Sequence, residues 1–177
     1  MAIKRLFANK RLFARDTDYA KKYDDVVKDY IRFGHAELLT AEEAKIQTPT
    51  TWYVTNFEVN NGKKVRVVFD GAAECEGTSL NDFLLRGPNY LSSMVGVLLR
   101  FRLKHVLLST DIEKMYHQVL VHKEDRDSYR FLYRLPGSTG PPLMYRMKVH
   151  IFGAISSSYT CILAINRCAE DNETRLS

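Results

Sequence analysis

His105-Val106-Leu107-Leu108-Ser109-Thr110-Asp111-Ile112-Glu113-Lys114-Met115-Tyr116-His117-Gln118-Val119 decides how this chain is read. The apolar run His105–Leu108 predicts a buried strand over about 105–110. Asp111 closes that strand as its only acid. Tyr116 follows five residues later, and Gln118-Val119-Leu120-Val121 resumes an extended pattern. A carboxylate at the mouth of a buried strand is costly unless it is paired or holds a metal. Magnesium takes oxygen donors from one or two carboxylates together with substrate phosphates, so the arrangement suits it. A lone strand-end aspartate also serves as a turn residue or helix cap.

Working outward, Thr51–Phe57 alternates as a strand, Asn60-Asn61-Gly62 is a turn signal, and Val65–Phe69 is the partner strand of a hairpin. Tyr129–Tyr133 and Met144–Val149 predict a second antiparallel pair across the Gly/Pro-rich loop Pro136–Pro142. Helical spacing runs from Asp16 to Phe33, with Tyr19, Tyr23, Val26, Val27, Tyr30 and Phe33 on one face. Asp16 suits the N-cap and Gly34 the C-cap. A short helix over 41–44 has Thr40 as its cap, and Leu80–Leu85 is a further short helix. Leu91–Leu103 predicts a helix with Met94, Val95, Val97, Leu98 and Phe101 as a broad apolar face. Ser156–Asp171 predicts another, with Tyr159, Ile162, Leu163 and Ile165 on its face. Residues 1–15 are basic, a short helix or a disordered arm. Helices mixed with antiparallel hairpins make the class α+β.

The chain has 177 residues, 45% hydrophobic and 27% charged, which fits a globular domain or a piece of one. A net charge of +5 is compatible with an anionic partner. Cys75, Cys161 and Cys168 are odd in number and lack Cys-x-x-Cys spacing, which argues against a disulfide framework or a zinc site. A reducing compartment, cytoplasm or nucleus, is expected. No segment is apolar enough to span a bilayer and no secretory leader is apparent, so no membrane association is expected. The five histidines show no metal-ligand spacing and are expected to be solvated or satisfied. Tyr23-Asp24-Asp25 imitates a polymerase acidic motif but falls within an amphipathic helix, and reads as surface charge.

Several blocks, in this order, resemble the reverse transcriptase of BEL/Pao-type LTR retrotransposons. They are Arg66-Val67-Val68-Phe69-Asp70-Gly71, Ser79-Leu80-Asn81-Asp82-Phe83, Asp111-Ile112-Glu113-Lys114-Met115-Tyr116, Arg126-Asp127-Ser128-Tyr129-Arg130 and Tyr145-Arg146-Met147 running to Phe152-Gly153-Ala154. The resemblance covers about Lys63 to Asn172. It implies a right-hand polymerase fold, an incomplete domain. Residues 1–60 would be an N-terminal helical extension of the fingers, and 61–177 the fingers and part of the palm. The implied activity is template-directed addition of deoxynucleoside triphosphates by two-metal phosphoryl transfer, with Mg2+, on an RNA or DNA template-primer. Other partners would be the remainder of the polymerase polyprotein.

By the same resemblance Asp111 would be the catalytic metal ligand, assisted by the backbone carbonyl of Ile112. The amides near Glu113 and Lys114 would face the triphosphate. Tyr116 would pack beneath the deoxyribose and exclude a 2′-hydroxyl. Arg66, with Lys64 as a second candidate, would grip phosphate oxygens. Gly153 would let backbone approach the templating base, with Phe152 and Ser157 bordering its loop. Each residue also has an ordinary reading: Arg66 as the solvent face of a strand, Tyr116 as core, Gly153 as a cap before a helix. Asp70 suits a structural role beside Arg66.

Three departures bear on the resemblance. The second acidic motif, Tyr/Phe-x-Asp-Asp on a later hairpin, does not occur before Ser177, so the chain is expected to be inactive alone. Ser158 stands where the family usually has proline, and Thr55-Asn56-Phe57 departs from the histidine-rich strand expected there. Two other functions stay open: a non-catalytic nucleic-acid-binding remnant, and a transposon relic with no function. The missing palm strands predict an open sheet edge and an exposed apolar face.

Overall fold

The computed structural model describes residues 1–60, 65–103 and 105–176. The first helix, α1 (Ala2–Phe13), resolves the basic arm as helical. In α2 (Thr17–Arg32) the Asp16 side chain accepts from the Tyr19 N–H at 2.9 Å, as an N-cap should. Its buried stripe is Ala20, Tyr23, Val27 and Tyr30, at the spacing of one helical face. Gly34, at φ +71°, ends the helix: the Gly34 N–H donates to Ile31 O at 3.0 Å and the His35 N–H to Tyr30 O at 2.8 Å. This double bond pattern satisfies carbonyls that helix geometry leaves open, and only a residue tolerant of positive φ makes it cheaply.

The hairpin β2 (Thr55–Asn60) and β3 (Val65–Asp70) pairs antiparallel as the alternation predicts, with Asn56 opposite Phe69. Residues 61–64, which include Asn61 and Gly62 of the turn signal and Lys64, lie outside the described residues. Val65, Val67 and Phe69 point inward, Arg66 outward. A second sheet, in the order β1 (Ala36–Leu38), β5 (Leu143–Met147), β4 (Arg130–Tyr133), is also antiparallel. The two join where Tyr53 makes a parallel bridge to Arg130. α2 is fastened to both strands of the hairpin. The Tyr23 hydroxyl donates to Asn56 Oδ1 at 2.6 Å and the Tyr30 hydroxyl to Val67 O at 3.3 Å. Phe69 meets Phe131 edge-on at 5.2 Å, which closes the core between the sheets. That core crosses position 60, since Tyr23, Val27 and Tyr30 pack with Val67 and Phe69.

The helix α3 (Ala41–Lys45) has the Thr40–Glu43 capping box. The short α4 (Leu80–Phe83) has the same device in Ser79 and Asp82. Lys123–Tyr129 forms 3-10 turns that lead into β4.

Five expectations need correction. Residues 105–110 form no strand: Val106 and Leu108 are 78% and 87% exposed. A strand exists only with a neighbour to take its backbone hydrogen bonds, and no described segment pairs with this one. For the same reason the extended run 118–121 reduces to a single antiparallel bridge, Leu120 to Val149. The helix α5 (Met94–Phe101) forms, but none of its residues is buried, and Met94, Val95 and Leu98 of its apolar face stay exposed. The helix α6 (Ser157–Leu176) buries Ser157 and Cys161, while Leu163 and Ile165 stay exposed. It is pinned instead by Tyr159 stacked on Tyr90 at 5.4 Å. Tyr23-Asp24-Asp25 is not simply surface: Tyr23 is core, and Asp24 accepts from the Tyr133 hydroxyl while pairing with Lys28 at 2.6 Å.

The second sheet is held by one carboxylate. Asp127 binds Arg130 through two oxygens, at 3.1 and 2.9 Å, and binds Arg146 at 2.8 Å. Arg146 also takes Glu37 at 2.7 Å. Removing one partner of a buried ion pair leaves a charge unsolvated. Asp127→Ala is expected to cost about 3 kcal/mol in urea unfolding. A loss under about 1 kcal/mol would show that the cluster behaves as an exposed surface pair.

Candidate nucleotide site

The Asp111 segment is an exposed coil between α5 and the 3-10 turn Met115–Gln118. Asp111, Ile112, Glu113 and Lys114 are all exposed. The turn is entered through Lys114 in the left-handed region, φ +52° and ψ +42°, which is costly for a residue with a β-carbon. Local contacts hold it there. The Gln118 Nε2 donates to Glu113 O at 3.1 Å, the His117 N–H donates to Lys114 O at 2.7 Å, and the Lys114 ammonium lies 4.4 Å from the centre of the Phe33 ring.

Tyr116 is half-buried. Its ring meets Phe152 edge-on at 4.7 Å, and Tyr116 Oη and Ser158 Oγ share a hydrogen bond of 3.0 Å. The Ser158 hydroxyl thus helps fix the ring. Phe152 leads into Gly153, at φ +105°. A β-carbon on Gly153 would sit 1.9 Å from Phe69 O, at the end of β3. Asn81 locks this approach: its Nδ2 donates to Gly153 O at 3.1 Å, its Oδ1 accepts from the Ile155 N–H at 2.9 Å, and its own N–H donates to Gly71 O at 2.9 Å.

Of the candidate residues, Tyr116, Phe152, Gly153 and the Phe69–Gly71 end of β3 are therefore brought together. Arg66 is exposed on that strand, three residues before Phe69. Lys64 lies outside the described residues. Gly153 has a packing reason for being glycine, its contact with Phe69. Asp70 turns the chain locally, accepting from the Ala72 N–H at 3.1 Å. Asn81 has no role in the sequence reading. Its signal was the Ser79-x-x-Asp82 box, which sets a one-turn helix and aims Asn81 sideways.

Two histidines depart from expectation. His35 and His117 face each other at 5.0 Å, and the Nδ1 atom of each is buried with no hydrogen-bond partner among the described residues. Burial, with His35 and Lys114 nearby, holds the His117 pKa down to about 4. Burial, with Lys114 and Lys148 nearby, also lowers that of His35. Both shifts favour the neutral imidazole.

Asp111 does not by itself make a metal site. Among the described residues no three His, Cys, Asp or Glu side chains are grouped to hold an ion. Magnesium needs more oxygen donors than one exposed carboxylate and a carbonyl supply. The three cysteines are free thiols. Among the described residues no helix is long and apolar enough to cross a membrane.

Two results are expected. Gly153→Ala meets both a backbone clash and positive φ, and should cost about 2 kcal/mol or more in thermal unfolding. Gly137→Ala has positive φ but open space around it, and should cost about 1 kcal/mol. Equal losses would disprove the close approach. Secondly, unfolded His117 titrates near 6.5 and folded His117 near 4, so the unfolded state binds the extra proton between those values. Stability should fall as pH drops from about 6.5 to about 4, with a His117 share on the order of 3 kcal/mol. His117→Phe should flatten that slope in urea titrations; an unchanged slope refutes the buried neutral imidazole.

No family model matches the chain, and no curated protein matches it.

Proposed function

We propose that this chain is the fingers and part of the palm of an RNA-directed DNA polymerase of the BEL/Pao retrotransposon type. One observation carries the reading. Three blocks far apart in sequence touch in a chain: the end of the strand bearing Arg66 lies against Gly153, Asn81 clamps the Gly153 loop, and Phe152 of that loop meets the ring of Tyr116. An exposed guanidinium, a fixed aromatic ring and a tight glycine turn are parts suited to gripping a triphosphate, testing a sugar and admitting a base. In this reading Arg66 binds phosphate oxygens as a planar fork. Lys64 would assist it. The amides of Glu113 and Lys114 face the triphosphate. Tyr116, held by Phe152 and Ser158, blocks a 2′-hydroxyl. Asp111 and the Ile112 carbonyl would be part of a magnesium site whose further carboxylates come from outside these residues. Template-primer and the rest of the polymerase are the implied partners, in the cytoplasm or nucleus. Binding, not turnover, is what these residues offer.

A second reading draws on α1, where Lys4, Arg5, Lys10 and Arg11 occur without an acid. A basic helix suits a non-catalytic nucleic-acid-binding protein, whose affinity would fall steeply with salt.

One assay separates the two. Fluorescent dTTP and its ribose counterpart are titrated into the full chain with a template-primer present, and anisotropy is followed. The polymerase reading expects a preference of about tenfold or more for the deoxynucleotide, erased by Tyr116→Ala. Tight template-primer binding with no such preference favours the second reading, and no triphosphate binding refutes the first.

A further inference from the structure

A cleft of about 550 Å³ lies between α1, the start of α2 and the β4–β5 loop, and shares no residue with the candidate nucleotide site. Its polar lining carries three cations, Lys10, Lys21 and Arg134, and one carboxylate, Asp24. Asp24 is already answered by Lys28 at 2.6 Å and by the Tyr133 hydroxyl. None of the three cations forms an ion pair among the described residues. Arg134 Nε is buried and has no hydrogen-bond partner among the described residues, while its guanidinium lies 5.8 Å from the centre of the Phe7 ring. A buried, unpaired donor on a charged group is costly, and an oxyanion would relieve it.

The other wall is apolar: Leu6, Phe13, Leu135 and Pro136. The loop turns at Gly137, φ +76°, and brings Ser138 to the rim. Small-molecule clefts run to about 300–1,000 Å³, so the volume takes a flat apolar group and a phosphate together. We propose that this cleft binds a phosphate monoester carrying an aromatic body, a nucleoside monophosphate or the 5′-phosphorylated end of a strand. The phosphate would sit on Arg134, Lys10 and Lys21, and the base against Phe13, Leu135 and Pro136. The inference does not rest on the polymerase reading.

The test uses the full chain and N-methylanthraniloyl-AMP, read by fluorescence. Binding should be about tenfold or more tighter than for the unphosphorylated nucleoside, as loss of charge-assisted bonds to a phosphate predicts. Arg134→Gln should weaken it by about tenfold, and Arg66→Ala should leave it unchanged. Competition by a 5′-phosphorylated oligothymidylate and not by its 5′-hydroxyl form identifies the strand end. Competition by AMP alone identifies the free nucleotide. Equal affinity with and without the phosphate, or full affinity in Arg134→Gln, overturns the site. If Arg134→Gln does not fold, the surface variant Lys10→Gln/Lys21→Gln decides, with unchanged affinity counting against.

Discussion

Asp127 is the constraint on which the second sheet depends. The antiparallel register sets Arg130 directly opposite Arg146, and Arg146 opposite Glu37. Two guanidinium groups facing one another across a strand pair repel, and Arg130 is 1% exposed, so water cannot screen it. Asp127 sits three residues before Arg130 and binds both arginines. Burial pushes its carboxyl pKa up, but the hydrogen bonds from Arg130 and Arg146 outweigh that and hold it below the usual range. One carboxylate thereby lets β1, β5 and β4 lie side by side. The same cluster reaches Glu43 of α3, so the capped helix docks on the sheet edge.

With that sheet in place, the chain beyond β5 has few choices. His150 is drawn to Val119 through its backbone N–H, and the next turn must pass close to the end of β3. Only glycine at 153 and at 71 permits that passage, since added β-carbons would strike backbone oxygen at 1.9 and 2.6 Å. Asn81 then supplies the hydrogen bonds that two irregular segments cannot give each other. The candidate nucleotide site is the outer surface of this junction. The Tyr116 ring is held from two sides, by Phe152 and by Ser158, while the Asp111 carboxylate stands in solvent.

The two proposed binding surfaces differ in physical kind. Around Tyr116, Phe152 and Gly153 the parts are set by ring contacts and backbone approach, with Arg66 exposed further along β3. At Arg134 the site is a walled cleft with an unanswered buried donor, suited to one small anion with an apolar body. Both use the surplus of positive charge that the composition carries, in different places.

Local physics was legible in the sequence. The caps Asp16, Thr40 and Gly34, the stripe Tyr23–Val27–Tyr30 and the alternation of Val65–Phe69 each fix an element through contacts within a few residues. So the α+β class and both hairpins followed from periodicity alone. What the sequence could not decide was partnership. The run His105–Leu108 has the composition of a buried strand, yet it is a strand only if another strand lies beside it, and none of the described ones does. The apolar face of α5 is ambiguous for the same reason. His35 and His117, eighty-two positions apart, become a half-buried pair with lowered pKa only when the Met115–Gln118 turn folds over the end of α2. Asn81 reads as one polar residue among others until tertiary structure sets it between two backbones. Side-chain type and spacing act over one or two turns, whereas burial, pairing and pKa depend on neighbours that only the folded chain supplies.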